Sequence, residues 1–133
     1  MSKYVVDTHA LIWFIEGNPK LGIKAKEILE DINSQLILPA IVLAEATWII
    51  AKGKTSIPSV EDLLIAIDND TRIVIYPLNQ DIIVKSLSAE IITEMHDRLI
   101  VSTALFLEDL GEKITLLSCD ININESHLVS VIW

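Results

Sequence analysis

Along the chain, short runs of β-branched and aromatic residues alternate with longer stretches in which apolar residues recur every three or four positions. Tyr4–Val6, Gln35–Leu38, Arg72–Tyr76, Ile114–Ser118 and Leu128–Val131 have the character of strands. Helical spacing covers Ala10–Ile15, Lys20–Ile32, Ala40–Lys52, Ser59–Asn69, Asp81–Ile92 and Asp97–Leu110. Asn18-Pro19 is expected to open a helix, Gly53 and Gly111 each to follow one, and Ser59 to cap the segment that begins Val60-Glu61-Asp62. Strands that are apolar throughout and separated by helices predict a central parallel sheet of about five strands, flanked by helices on both faces, an α/β architecture. No repeat, linker or low-complexity segment interrupts the pattern, so residues 1–133 are expected to form a single domain.

Composition narrows the setting. The longest apolar stretch, Leu36 to Ala51, is broken by Pro39 and Glu45 and falls short of the about 20 residues a membrane span needs. It reads as a buried strand and helix, and no membrane partner is expected. The one cysteine, Cys119, cannot form an intramolecular disulfide, and Met1–Asp7 lacks the apolar run of a signal peptide, so a cytoplasmic location is expected. Ten basic against nineteen acidic residues give a net charge of −9, which argues against a broad positive face for nucleic acid. A phosphate-bearing partner must be met locally, by a metal ion or by Lys20, Lys24 and Lys26 or Lys52 and Lys54. Taken singly, those lysines read as a solvated helix face and a helix end.

Four acids carry the candidate chemistry. In an open parallel sheet, functional groups gather beyond the carboxyl ends of the strands. Asp7 ends the first strand, Asp120 lies just past the fourth, and Asp97 falls in the first turn of a helix that should start at the same edge. Glu45 sits mid-helix among Ile41, Val42, Leu43, Ala46, Ile49 and Ile50, where a charge needs a partner or an ion. Each also has an ordinary reading. The three aspartates could cap helices or turns, and Glu45 could pair with Arg98 or another distant basic residue.

Gathered in one cleft, each like-charged pair at about 4 Å costs on the order of 4 kcal/mol at an effective dielectric near 20, which a divalent cation removes. Oxygen donors without thiolates suit Mg²⁺ or Mn²⁺ better than Zn²⁺, and His9 and His96 lie in no H-E-x-x-H spacing. Cys119 reads as a buried thiol. The chain holds no G-x-S-x-G, G-x-x-x-x-G-K-[ST] or G-x-G-x-x-G, which argues against serine-hydrolase, nucleoside triphosphate and dinucleotide chemistry.

Val5-Val6-Asp7-Thr8-His9-Ala10-Leu11-Ile12-Trp13, then Glu45, then His96-Asp97-Arg98-Leu99-Ile100-Val101-Ser102-Thr103-Ala104, then Leu117-Ser118-Cys119-Asp120 together resemble PIN-domain ribonucleases, in particular VapC-type toxins of toxin–antitoxin pairs. The first and third blocks are the specific ones. Two departures are Pro39-Ala40, where a serine often precedes the helical glutamate, and Ser118-Cys119-Asp120 in place of Thr-x-Asp. The resemblance implies a Rossmann-like PIN fold and a catalytic quartet of Asp7, Glu45, Asp97 and Asp120. It implies Mg²⁺ or Mn²⁺ held chiefly by Asp7, Asp97 and Asp120, with Thr8 and Ser118 behind them, and RNA cut to a 3′-hydroxyl and a 5′-phosphate. It also implies a homodimer and a VapB-like antitoxin.

Trp48, Ile49, Leu64 and Ile67 are candidates for such partner surfaces or for the core, and Trp13 or Trp48 for stacking of splayed bases. Two other readings stay open: a PIN nuclease of RNA maturation or decay without a toxin role, and a non-catalytic α/β binding module. A receiver-like module would need an acceptor aspartate after the third strand, where Tyr76-Pro77-Leu78 offers none.

Overall fold

The computed structural model describes residues 2–133. β1 (Ser2–Val6) leads into α1 (Thr8–Glu16) and α2 (Ile23–Glu30), and β2 (Leu36–Pro39) into α3 (Ala40–Ala51) and α4 (Val60–Asp68). β3 (Ile73–Tyr76) is followed by α5 (Gln80–Lys85), a 3₁₀ turn (Ser86–Ala89) and α6 (Met95–Asp109); β4 (Lys113–Leu117), α7 (Ile121–Ser126) and β5 (Val131–Ile132) complete the chain. All strand pairs are parallel, in the order β3-β2-β1-β4-β5, with Val5 beside both Ile37 and Leu116.

All four residues of β2 are buried, and because neighbouring strand residues face opposite sides, both faces of the sheet are covered there. Val5, Leu36, Leu38, Leu116 and Leu117 form the middle of the core, with Val42, Leu63 and Ile100 packed from the helices. The expectation of full cover fails at the edge. Val74 and Ile75 of β3 are 59% and 44% exposed.

Four local expectations are also corrected. Gly17 ends α1 in the left-handed region at φ 67, which costs glycine little, and Asn18-Pro19 then form a turn in which the Asn18 side chain accepts from the Lys20 N–H. Asn18-Pro19 therefore opens no helix, and α2 starts only at Ile23. The helix expected over Asp81–Ile92 divides at Ser86, where the Ser86 and Ser88 hydroxyls donate to the Ile83 and Lys85 carbonyls in place of a regular ladder. The last strand is Val131–Ile132, and α7 was not foreseen. Ser59 does cap α4, accepting from the Asp62 N–H at 3.2 Å, and Gly53 and Gly111 do follow α3 and α6.

Two contacts hold the start of α2 and the end of α1 in place. Gly22 lies so close to Trp133 that a Cβ there would fall 2.5 Å from the Trp133 backbone and 2.6 Å from its ring. At the C-terminal end of α1, the Glu16 carboxylate accepts from the Ser56 N–H and the Thr55 hydroxyl, each at 2.7 Å, from the Ser56 hydroxyl at 2.9 Å and from Asn18 at 3.2 Å. Burial alone would raise its pKa. The Ser56 N–H, the two hydroxyls and Asn18 outweigh that and bring it from 4.5 down to about 2.

The contribution of this clamp to stability is therefore complete above about pH 4.5 and is lost as the pH falls towards about 2. Glu16→Gln should lower stability by about 1 kcal/mol at neutral pH, the net worth of charge-assisted bonds that water partly replaces. Urea midpoints of the two proteins, measured from pH 7 down to pH 2, should converge at the acid end.

Candidate active site

The strand order reverses between β1 and β4, and the crevice beyond that switch point is where the acids meet. Asp7 follows β1 as the N-cap of α1, its Oδ1 accepting from the Thr8 N–H at 2.6 Å. Asp120 follows β4 as the N-cap of α7, its Oδ1 accepting from the Ile123 N–H at 2.9 Å. Capping thus explains where both aspartates sit in the chain, and the same positions point them into one cleft. Asp7, His9, Trp13, Glu45, Glu94, Asp97, Cys119, Asp120, Ile121 and Asn122 line a cavity of about 650 Å³. No Lys or Arg is among these residues.

Ser118 holds the cleft together. Its hydroxyl donates to Asp7 Oδ2 at 2.6 Å and accepts from the Asp120 N–H at 3.1 Å. Thr8 donates its hydroxyl to Glu45, so Glu45 is engaged from α1 and not by Arg98. The Arg98 guanidinium instead donates to the Ile92 and Glu90 carbonyls, bracing the segment ahead of α6. Thr8 and Ser118 are thus each bonded to one of the acids.

Asp97 is different. It occupies the third position of α6, and the capping role is taken by Glu94, whose carboxylate accepts from the Asp97 N–H and contacts His96 Nδ1, each at 2.7 Å. Glu94 is a fifth acid of the cleft that the sequence reading missed. Its signal was the spacing, since an acid at the third helical position goes with a cap three residues earlier. Among the described residues no group donates to the Asp97 carboxyl. Burial, then Asp120, Asp7, Glu94 and Glu45 in that order, raise its pKa from 3.8 to about 7. Burial also raises Asp7, against the lowering effect of Ser118 and the Thr8 N–H. Cys119 is exposed at the cleft, contrary to the buried thiol expected, and burial of its sulfur together with Asp7 pushes the thiol up, which leaves it protonated and a poor nucleophile.

The donor chemistry fits a hard divalent cation: carboxylate oxygens in excess, no cationic side chain from Lys or Arg, and one carboxyl without a donor. The acids share a cleft without being drawn into a coordination shell. Among the described residues, no three His, Cys, Asp or Glu side chains are grouped so as to hold an ion as they stand.

The PIN-domain family model matches residues 4–125, and the chain belongs to the PIN-domain family. No curated protein sequence matches it. Among solved structures, VapBC2 of Rickettsia felis bound to a DNA fragment from its promoter is similar at TM-score 0.71 and 22% identity, covering 99% of this chain and 98% of that one. VapBC-1 of nontypeable Haemophilus influenzae gives TM-score 0.66 at 20% identity over 99% and 97% of the two chains. FitAcB of Neisseria gonorrhoeae gives 0.64 at 15% identity over 98% and 96%.

The raised Asp97 makes a test independent of activity. Its unfavourable charge weakens the fold progressively from about pH 4 to about pH 7 and fully above. In EDTA at pH 8, Asp97→Asn should be more stable than the parent by on the order of 1 kcal/mol, after allowance for solvent screening, and equally stable at pH 4. Thermal unfolding across that range reads the difference directly.

Proposed function

We propose that this chain is a divalent-metal-dependent endoribonuclease and the toxin of a VapBC-type pair. The observation that carries the reading is the cleft itself: acids from four separate elements converge at the sheet's switch point, with no hydrogen-bond donor on the Asp97 carboxyl among the described residues. Membership of the PIN family and the likeness to VapBC structures support the nuclease and toxin readings. Asp7, Asp97 and Asp120 would hold Mg²⁺ or Mn²⁺. Such an ion, when bound, neutralises the acids, polarises phosphate oxygens and lowers the pKa of water towards neutrality.

The chain's own residues supply the rest. Ser118 and the Thr8 N–H fix both oxygens of Asp7, so its orientation does not depend on the ligand. Thr8 holds Glu45 towards the cleft, where it orients or deprotonates the attacking water. Asp97, poised near neutrality, gives up its proton as positive charge arrives. The products would be a 3′-hydroxyl and a 5′-phosphate.

Partners follow from the surface and the likeness. Trp48, Leu64 and Ile65 are 57%, 39% and 56% exposed on α3 and α4, and this face suits an apolar antitoxin helix. Ile67 belongs to the core and Ile49 packs against it, so neither is available for that role. Val74 and Ile75 on β3 and Ile83 and Val84 on α5 are exposed too, further apolar surface for a homodimer to cover. Among the described residues no helix is long and apolar enough to cross a membrane, and a cytoplasmic site of action fits an RNA substrate.

The arrangement without a ready coordination shell favours one competitor, a PIN-fold module that binds without cutting. Incubating the purified chain with total cellular RNA, with and without Mn²⁺, separates the two. Cleavage should require Mn²⁺, stop with EDTA, and fall at least about a hundredfold in Asp7→Asn and Asp97→Asn that remain folded by circular dichroism. Asp120→Ala should abolish the heat of Mn²⁺ binding. Full activity in the variants, with metal rigorously removed, rules the mechanism out, and no Mn²⁺ uptake favours the binding module.

A further inference from the structure

Trp13 lines two cavities at once. One is the acidic cleft; the other, of about 680 Å³, lies between α1 and α2 and is walled by Phe14, Leu21, Ile23, Lys26, Glu27 and Glu30 among others. From the cleft outward run three rings: exposed His9, with its centroid 5.1 Å from Trp13, then Trp13, then Trp133 at 5.9 Å, edge-on. The Lys20 ammonium sits 5.9 Å from the Trp13 ring, exposed to solvent and in no ion pair among the described residues.

We infer that Trp13, with His9 and Lys20, forms a subsite for an unpaired nucleotide of the RNA strand next to the phosphodiester held in the acidic cleft. This rests on the nuclease reading and names the side chains that would hold the base beside the cut. Three observations select that occupant. Trp13 borders both the cavity and the cleft, so its indole stands next to the acids on one side and to the cavity on the other.

The charges are sorted as a nucleotide requires. Lys20 offers positive charge beside the ring for phosphate, while Glu27 and Glu30, with Lys26 tied to Glu30 at 3.6 Å, keep phosphate out of the cavity and leave it to the uncharged base. Indole rings stack on any unpaired base and not on a duplex whose bases are already stacked. A chain of net charge −9 has few places where a strand could gain affinity near its acids, and this one combines stacking with a cation.

The test is a fluorescence anisotropy titration of two labelled single strands of equal length, oligouridylate and the same ribose-phosphate chain without bases, against the full chain in EDTA. Cleavage of the first is then measured in Mn²⁺. The parent should bind oligouridylate about tenfold more tightly than the baseless strand, as one stacked base provides. Trp13→Leu should erase that preference and Trp13→Phe should keep most of it. Lys20→Ala should weaken both strands alike and reduce the slope of log affinity against log salt by about 0.7.

Equal affinity of the parent for the two strands overturns the subsite, as does an undiminished preference in folded Trp13→Leu. An unchanged salt slope in Lys20→Ala overturns the phosphate contact. Should Trp13→Leu fail to fold, the parent comparison and the Lys20 and Trp13→Phe variants still decide. A Trp13 variant that changes sedimentation of the chain without changing base preference assigns the face to a second copy and overturns the proposal. Cleavage without base preference leaves the nuclease and removes the subsite, whereas base preference without cleavage does the reverse.

Discussion

The buried carboxylate of Asp7 is the joint on which the rest of the cleft turns. Its backbone N–H reaches the Leu117 carbonyl, one oxygen caps α1 and the other takes the Ser118 hydroxyl, so a single residue ties β1, β4 and α1 together. A charge buried to this degree is costly unless fully bonded. With both oxygens occupied, Asp7 stays in place while its neighbours repel one another. The repulsion is then concentrated on Asp97, which has no donor of its own.

This division of labour explains why the same edge of the sheet is both well ordered and electrostatically unfavourable. Asp7, Glu94 and Asp120 satisfy helix N-termini, which rewards negative charge locally. Glu45 is steadied by Thr8. The local gains are spread over four elements, while the collective cost appears only in the space between them. A fold can therefore carry the cluster with modest loss, and a ligand that brings positive charge recovers that loss as binding energy.

Much of this was legible in the chain. The alternation of strand-like and helix-like runs defined the parallel sheet, and the carboxyl-edge rule placed Asp7, Asp97 and Asp120 together before any coordinates. Glu45 was legible because a charge stood alone on an apolar helix. Its partner was not, since Thr8 lies 37 residues away and only tertiary packing joins them. α7 was hidden because Ile121-Asn122-Ile123-Asn124 alternates with period two and carries residues of weak helix propensity; the Asp120 cap and the burial of Ile123 decide for a helix. The last strand shifted because Leu128 and Val129 serve the core from outside the sheet. Glu94 went unnoticed because glutamate is an uncommon cap.

The clamp at Glu16 acquires a meaning beyond stability once it is set beside the bond between Thr8 and Glu45. The two join α1 to α3 and to the loop behind it at opposite ends, about one helix length apart. A pair of rods fastened at both ends cannot scissor. One jaw of the crevice is thus braced at both ends, while across from it the Asp97 side chain projects from α6 with no donor to fix it.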